Sequence, residues 1–265
     1  MYYHLENKMT EANEQLGDFL RSRRERLTPE RLGLQVLRRR RTPGLRREEV
    51  ASAAGISGEW YVKLEQGRAV APSPATIDAL AKALLLDDVD HAHLKSLARP
   101  SHRRSFVRET VPDPVKRLVN SLEHPAYVTG QRWDVLAWNK AASSMLANFE
   151  ELAMEDRNIL LYVLTDPRAK TLFGERWDAE AMRMVALFRS TYDLWAEDPA
   201  FTDLISRLRL GCSRFDAWWS THEIGSAVSG TKTVHHPTRG PLRYEYVTFQ
   251  ANDDPRLKLA AFIPC

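Results

Sequence analysis

Apolar residues in the first hundred positions recur three or four residues apart, in short runs separated by glycine, proline and polar residues. This is the period of an α-helix with one buried face. Gly55 and Gly67 end two of the runs, and Ser57 and Ser73 stand where helix N-caps are expected. The pattern predicts five helices, at residues 11–27, 45–54, 58–66, 74–84 and 91–98.

The pattern changes in the second half of the chain. Short runs that alternate or are rich in β-branched and aromatic residues predict strands at 127–129, 133–138, 231–235, 242–250 and 257–263. A helix is predicted at 139–146, and two or three longer helices within 156–222. Because the strands come from both ends of this region, the sequence predicts an α+β domain with an antiparallel sheet and inserted helices.

These patterns divide the chain into segments. We expect a flexible N-terminus at 1–10 and an all-α helix–turn–helix domain at 11–99. A basic, proline-containing linker without apolar periodicity follows at 100–114, and the α+β domain occupies 115–265.

Composition indicates a globular protein: 43% of the 265 residues are hydrophobic, enough for a buried core. No stretch approaches the roughly 18 apolar residues of a membrane span. Residues 1–14 also lack an apolar signal-peptide core. The sequence therefore predicts a cytoplasmic protein without membrane contact.

Charge is distributed unevenly along the chain, although the net charge is only +3. Residues 1–105 carry 19 Lys and Arg against 14 Asp and Glu, whereas the remainder carries 19 against 21. Between Arg21 and Arg47 there are 11 arginines and two acids. A basic field on the first domain predicts a polyanionic partner.

Residues 46–66 have the parts of a helix–turn–helix, namely a short helix, a turn with glycine and a second helix that can enter the major groove. Tyr61 and Leu64 are expected to face the core. The expected DNA contacts are Arg38, Arg39, Arg40, Arg41, Arg46, Arg47, Ser57, Gly58, Glu59, Trp60, Lys63 and Arg68.

Each residue type suggests its own contact with duplex DNA. The arginines are expected to hold phosphates. Glu59 could accept from a cytosine amino group and Lys63 could donate to guanine, while Gly58 contributes only close approach. Trp60 is left between core packing and contact with a thymine methyl group.

Both signals also have a structural explanation. Helix–glycine–helix arrangements occur in many small bundles, and the run from Arg38 to Arg41 could be an ordinary solvated loop. The concentration of arginine beside the helix pair favours DNA binding.

The phrases RREEVASAAGISGEWYVKLEQGR and PSPATIDALAKAL resemble the phage-repressor-like (xenobiotic response element, XRE) helix–turn–helix family. The resemblance places Arg47 where that family often carries a phosphate-contacting Gln, and it makes residues 57–63 the recognition helix. It also implies that Glu65 is a buried structural acid. The long arginine-rich loop before Leu45 departs from the short phage repressors.

That loop and the C-terminal half together resemble the MmyB-like transcription regulators of actinobacteria. The matching phrases are PAYVTGQRWDVLAWN, SRFDAWWSTHEI, TVHHPTRGPLRYEYVTF and DPRLKLAAFIP. The resemblance implies a PAS-like ligand-binding and dimerisation domain at 115–265 and a fatty-acid-like ligand.

Aromatic residues concentrate in the second domain, where they either fill the core or line a ligand cavity. The expected ligand-binding residues are Trp133, Trp138, Tyr192, Trp195, Arg214, Phe215, Trp219 and His222. Arg214 or His222 would anchor a carboxylate.

Catalytic and metal-binding patterns are not found in the sequence. His91 with His93 and His235 with His236 lack a third ligand at a familiar spacing, and Cys212 and Cys265 form no CxxC motif. The chain contains no GxGxxG, GxxxxGK[ST], GxSxG or HExxH motif. We therefore expect no metal, no cofactor and no enzymatic activity.

The sequence predicts a homodimeric transcription regulator that binds double-stranded DNA at a palindromic operator and responds to a small hydrophobic effector. One alternative is a DNA-binding regulator whose second domain only dimerises or binds a partner protein, without a small ligand. Another is an enzyme with a DNA-binding appendage, which would require a pocket with convergent titratable groups.

Overall fold

The computed structural model describes residues 3–33, 44–68, 72–98, 105–195, 198–225, 230–236 and 239–265. The chain forms two compact units. The first comprises Met1–Ser105, Tyr192–Asp198 and Thr221–Ile224, and the second comprises Phe106–Thr191, Pro199–Ser220 and Gly225–Cys265. The first unit thus includes two short segments of the C-terminal half, which local sequence patterns do not reveal.

The first unit is helical. Its helices are α1 (Tyr3–Arg26), α2 (Arg47–Ala53), α3 (Gly58–Glu65), α4 (Pro74–Ala83) and α5 (Asp88–Leu97), with a 3₁₀ turn at Pro29–Leu32. The side chain of Ser57 accepts from the Trp60 amide and that of Ser73 from the Thr76 amide, which fixes the starts of α3 and α4.

Helix α1 begins at Tyr3, within the segment that the sequence predicts to be flexible. The reason is that residues 3–16 contain no glycine or proline and are rich in helix-forming residues. The predicted start lies at residue 11 because the apolar period begins only there.

A single apolar cluster holds the five helices together. Phe19 and Leu20 of α1, Tyr61 and Leu64 of α3 and Leu80 of α4 are almost fully buried in it. Gly17 allows α1 to lie directly on α3, because a Cβ there would come within 2.6 Å of the Glu65 carbonyl oxygen. The cost of a glycine inside a helix, about 0.5–1 kcal/mol, is thus offset by close helix packing.

The second unit is an α+β domain, as predicted. Its helices are α6 (Asp113–Ser121), α7 (Lys140–Met145), α8 (Ile159–Thr165), α9 (Pro167–Phe173), α10 (Trp177–Tyr192), α11 (Pro199–Gly211) and α12 (Phe215–Trp219). Its strands are β1 (Ala126–Thr129), β2 (Val135–Trp138), β3 (Gly230–His236), β4 (Gly240–Gln250) and β5 (Lys258–Pro264).

The strands form one antiparallel sheet in the order β2-β1-β5-β4-β3. Strands from the two ends of the domain meet at β1 and β5, where Tyr127 is opposite Ala260 and Val128 is opposite Leu259. Val119 of α6 packs with Val128 and Leu259 on one face of the sheet. Tyr127 and Ala260 therefore lie on the opposite face.

The described residues between 156 and 222 form five helices, α8 to α12, where the sequence predicts two or three. Pro167 begins α9 immediately after Asp166 ends α8, and Gly174 (φ +53°) ends α9. Proline favours the first turn of a helix and disrupts its interior, so it divides one apolar run into two helices.

Candidate functional site

The turn between α2 and α3 positions the predicted recognition helix. Gly55 adopts φ +67°, in the left-handed region that favours glycine, and Ile56 packs against the core. Ser57 then caps α3. Helix α3 therefore leaves the turn with its first residues toward solvent and Tyr61 and Leu64 toward the core.

Three of the predicted contact residues lie exposed on or before the leading turns of α3. These are Ser57, Glu59 and Lys63, with Gly58 half-buried between them. Trp60 is half-buried and packs against the apolar cluster, which favours core packing for part of its ring. The exposed side chains form a short polar strip along α3.

Glu65, at the end of α3, is buried and joined to two arginines. Arg24 of α1 donates to its carboxylate from a buried position, and Arg47 Nε of α2 donates to Glu65 Oε2 at 2.6 Å. Burial alone would raise the pKa of Glu65, but the hydrogen bonds from Arg24 and Arg47 outweigh it and lower the pKa. The carboxylate thus connects α1, α2 and α3.

Several arginines of the basic field form hydrogen bonds within the first unit. Arg23 is buried on Asp90, Arg24 on Glu65, and Arg21 donates to the Glu65 carbonyl at 3.1 Å. Arg46 and Arg68 are exposed. The predicted contacts Arg38, Arg39, Arg40 and Arg41 lie outside the described residues.

The second unit contains a cavity of about 380 Å³ between the sheet and helices α8 to α10. Such a volume lies within the roughly 300–1,000 Å³ range of small-molecule sites. Its apolar wall includes Trp133, Leu146, Ile159, Val163, Phe173, Met184, Leu187, Ala260 and Phe262. Thr129 and Thr248 of the sheet also line the cavity.

A charged cluster forms part of the cavity wall. Arg183 donates to Glu180 at 2.8 Å, and Lys232 of β3 donates to the same carboxylate. The Lys232 ammonium lies 4.0 Å from the centre of the Tyr246 ring. With all three groups charged, the cluster holds two cations and one anion.

The pKa shifts in this cluster follow from burial and pairing. Burial would raise the pKa of Glu180, but Arg183 and Lys232 lower it overall. Burial lowers the pKa of Lys232 in spite of the neighbouring Glu180 carboxylate. A second anion at this wall would offset the burial of the excess positive charge and favour the charged lysine.

Trp133 is the one predicted ligand residue among those that line the cavity. It has φ +67°, a left-handed conformation that costs a non-glycine residue about 1–3 kcal/mol, and its ring packs edge-on against Phe188. The buried Asn158 side chain donates to the carbonyl of Arg132 at 2.8 Å and to Asp134 at 3.2 Å. This network braces the turn that places Trp133 in the cavity wall.

The other seven predicted ligand residues lie elsewhere. Trp138 borders a shallow polar pocket beside α7. Phe215 is fully buried and stacks on Trp219, while Arg214 is exposed and paired with Asp178. Tyr192, Trp195 and His222 belong to the first unit.

Glu180, Arg183 and Lys232 did not appear among the sequence candidates. The available signal was a Glu–Arg pair three residues apart on a helix whose neighbouring positions Ala181 and Met184 are apolar. Lys232 is far away in sequence, so only the fold brings it to the pair.

Across the described ranges of the chain, no group of three or more His, Cys, Asp or Glu side chains could hold a metal ion. Of the helices in these ranges, none is both long and apolar enough to cross a membrane.

The fold and the two sites define a class of protein, a DNA-binding transcription regulator with a ligand-binding domain. The model for a helix-turn-helix domain matches residues 15–94. The model for the MmyB-like transcription regulator ligand binding domain matches residues 111–264. The chain belongs to the family of MmyB-like transcription regulators. Among curated proteins, no match was found.

Proposed function

We propose that the protein is a homodimeric, sequence-specific DNA-binding regulator whose DNA affinity is set by a small hydrophobic effector, such as a fatty acid. The cavity is the observation that carries the effector part of the proposal. It combines an apolar wall with a cationic cluster in one site of about 380 Å³. An amphiphile with an anionic head group matches both features.

The DNA part of the proposal assigns base reading to the exposed strip on α3. Ser57, Glu59 and Lys63 project from a helix whose opposite face is packed in the core. Phosphates would be held by Arg46, Arg68 and the arginines at 38–41. Arg47 would contribute a further phosphate contact while it stays paired with Glu65. Two such units related by a two-fold axis would read a palindromic operator.

The effector part assigns the head group to Arg183 and Lys232. Both share one carboxylate, so the wall carries an excess positive charge when Lys232 is protonated. A carboxylate ligand would balance it, with the acyl chain against Trp133, Met184 and Phe262. Because Glu180, Arg183 and Lys232 are paired with one another, we assign the cavity a binding role and no catalytic one.

Native mass spectrometry of the purified protein, followed by denaturing extraction, tests the effector directly. A stoichiometric lipid or other acidic amphiphile would support the proposal and identify its chemical class. If the protein is ligand-free and no member of a panel of fatty acids raises its melting temperature, the second unit is a dimerisation or protein-interaction module. The same spectra report whether the chain is a dimer.

Selection of bound duplexes from a randomised DNA library tests sequence specificity. We expect an inverted repeat whose half-sites lie about one helical turn, or a multiple of it, apart. If no sequence is enriched, α3 does not recognise specific DNA bases.

A further inference from the structure

Two short segments from the C-terminal half of the chain belong to the DNA-binding unit. Tyr192–Asp198 follows Thr191, which lines the cavity, and Thr221–Ile224 precedes Gly225, which also lines it. Each segment is therefore joined by a peptide bond to the cavity wall and counts structurally as part of the unit that binds DNA.

The first segment is held by a buried polar contact. Asp193 Oδ2 lies 3.1 Å from Nε2 of His93 on α5, and the two side chains are 4% and 2% exposed. The His93 ring in turn packs edge-on against Phe19 of α1. Separating Asp193 from His93 would leave two polar groups buried without this hydrogen bond, so the contact resists displacement.

The second segment is held on α1. Arg23, bound to Asp90 by two hydrogen bonds of 2.7 and 2.8 Å, also donates to the His222 carbonyl at 3.0 Å. Arg26 donates to Glu223 at 2.8 Å. Ile224 packs against the apolar cluster of the unit.

Helix α1, which holds the second segment and packs on His93 of α5 through Phe19, also holds the recognition helix. Helix α1 carries Gly17, which permits its close approach to α3, and Arg24, which binds the Glu65 carboxylate. A shift of α1 therefore changes the position of α3, since packed helices move as rigid elements.

The cavity ends of the segments have little freedom. The Gly225 amide donates to the Ala186 carbonyl of α10 at 3.0 Å, and a Cβ on Gly225 would lie 3.0 Å from the Leu187 amide nitrogen. Leu187, Ser190 and Thr191 of α10 line the cavity beside Gly225. A ligand bound against this wall contacts Thr191 and Gly225, which are joined by peptide bonds to the two segments.

We propose that Tyr192–Asp198 and Thr221–Ile224 couple occupancy of the cavity to the position of α3, through Asp193 on α5 and through His222 to Ile224 on α1. This inference rests on the proposed function, because it assigns the route by which the effector changes DNA affinity. The effector shifts the equilibrium between two arrangements of these segments by its differential affinity for them. By linkage, DNA must change the affinity of the effector by the same factor.

Hydrogen exchange without any ligand provides the first test. Leu187→Ala alters the cavity wall beside Gly225, and Met182→Ala, an exposed site on the same helix, is the matched control. We expect exchange of amides in α5 and at the end of α1 to rise by about fivefold or more in Leu187→Ala and to stay unchanged in Met182→Ala. Unchanged α5 exchange in Leu187→Ala would overturn the proposal.

The second test measures DNA affinity, on the selected duplex, with and without dodecanoate. The double variant Asp193→Asn/Glu223→Gln alters one anion in each segment, and Asp203→Asn/Glu245→Gln, at exposed sites of the second unit, removes the same charge. We expect the dodecanoate effect on DNA affinity to fall below about twofold in the first variant and to persist in the second. An undiminished effect in the first variant contradicts the proposal.

The two tests separate the two proposals. If dodecanoate and other acidic amphiphiles do not bind the wild-type protein, the proposed effector is wrong, while the exchange experiment still decides the coupling. If dodecanoate binds without any effect on DNA affinity, the coupling is wrong and the ligand site stands.

Discussion

Arg47 Nε donates to Glu65 Oε2 at 2.6 Å, although Arg47 is 41% exposed and Glu65 is fully buried. The pair joins the first helix of the helix–turn–helix to the end of the second. Arg24 binds the same carboxylate from α1. The angle at which α3 is presented therefore depends on one buried acid and two arginines.

Removal of the Glu65 charge should destabilise the first unit. Glu65→Gln removes the buried counter-ion of the Arg24 guanidinium and leaves only the exposed Glu25 carboxylate beside it. The loss of one partner of a buried pair costs about 3–5 kcal/mol. Urea unfolding monitored by hydrogen exchange of amides in α1 to α5 measures the loss. Glu59→Gln on the same helix is exposed and should change stability by less than about 0.5 kcal/mol. Equal effects of the two substitutions would argue against a structural role for the pair.

The same pair should make stability depend on pH. Because the folded-state pKa of Glu65 is lowered by Arg24 and Arg47, its contribution is present above the unfolded value, about 4.3, and is lost as pH falls through the folded pKa. The difference in unfolding free energy between wild type and Glu65→Gln should therefore be constant near neutral pH and shrink below about pH 4. A difference that stays constant down to pH 2 would contradict the lowered pKa.

The sequence predicted the elements that local signals specify. All five predicted strands were placed within three residues of their observed ends, because alternation and the turn-forming residue types at positions 236–240 and 252–255 mark them in the sequence. The caps Ser57 and Ser73 were read correctly from residue type and position. The start of α1 was missed because residues 3–10 show no apolar period in the sequence.

The cavity and the arginines that bond within the first unit could be identified only from the folded structure. Arg21, Arg23, Arg24 and Arg47 look the same in sequence as the exposed Arg46, yet each bonds to residues of the first unit. Phe215 and Trp133 are both aromatic, but one fills a core and the other lines a cavity. Contacts between residues distant in sequence decide which face of a helix or strand lines a cavity. A single sequence does not reveal those contacts.

Lys63 should contribute to base reading. If its ammonium donates to guanine, Lys63→Ala should weaken binding to the selected duplex by about 1–3 kcal/mol and relax specificity at one position. Lys82→Ala, exposed on α4, removes the same charge and should leave specificity unchanged. Repeating the duplex selection with both variants measures this. Uniform weakening across sequences would make Lys63 a phosphate contact instead.

The arginines at 38–41 should contribute to phosphate binding. Their joint replacement by Gln should flatten the slope of log K against log salt concentration by nearly one unit for each lost phosphate contact. Replacement of Lys116, Arg209, Arg214 and Arg256 by Gln, at exposed sites of the second unit, is the matched control for net charge. Fluorescence anisotropy over a salt series gives both slopes. If the arginine variant keeps the wild-type slope, that segment does not contact DNA.

Two arginines are candidate anchors for the carboxylate of an acidic ligand: Arg183 from the structure and Arg214 from the sequence. Arg183 lines the cavity and shares Glu180 with Lys232, whereas Arg214 is exposed and paired with Asp178. Arg183→Gln should weaken binding of dodecanoate by about 1.5–3 kcal/mol, the range of a hydrogen bond to a charged group, and should leave binding of the uncharged dodecanol nearly unchanged. Arg214→Gln should change neither affinity. Isothermal titration with both ligands gives the comparison, and an equal loss for acid and alcohol would mean that Arg183 shapes the wall and does not anchor the head group.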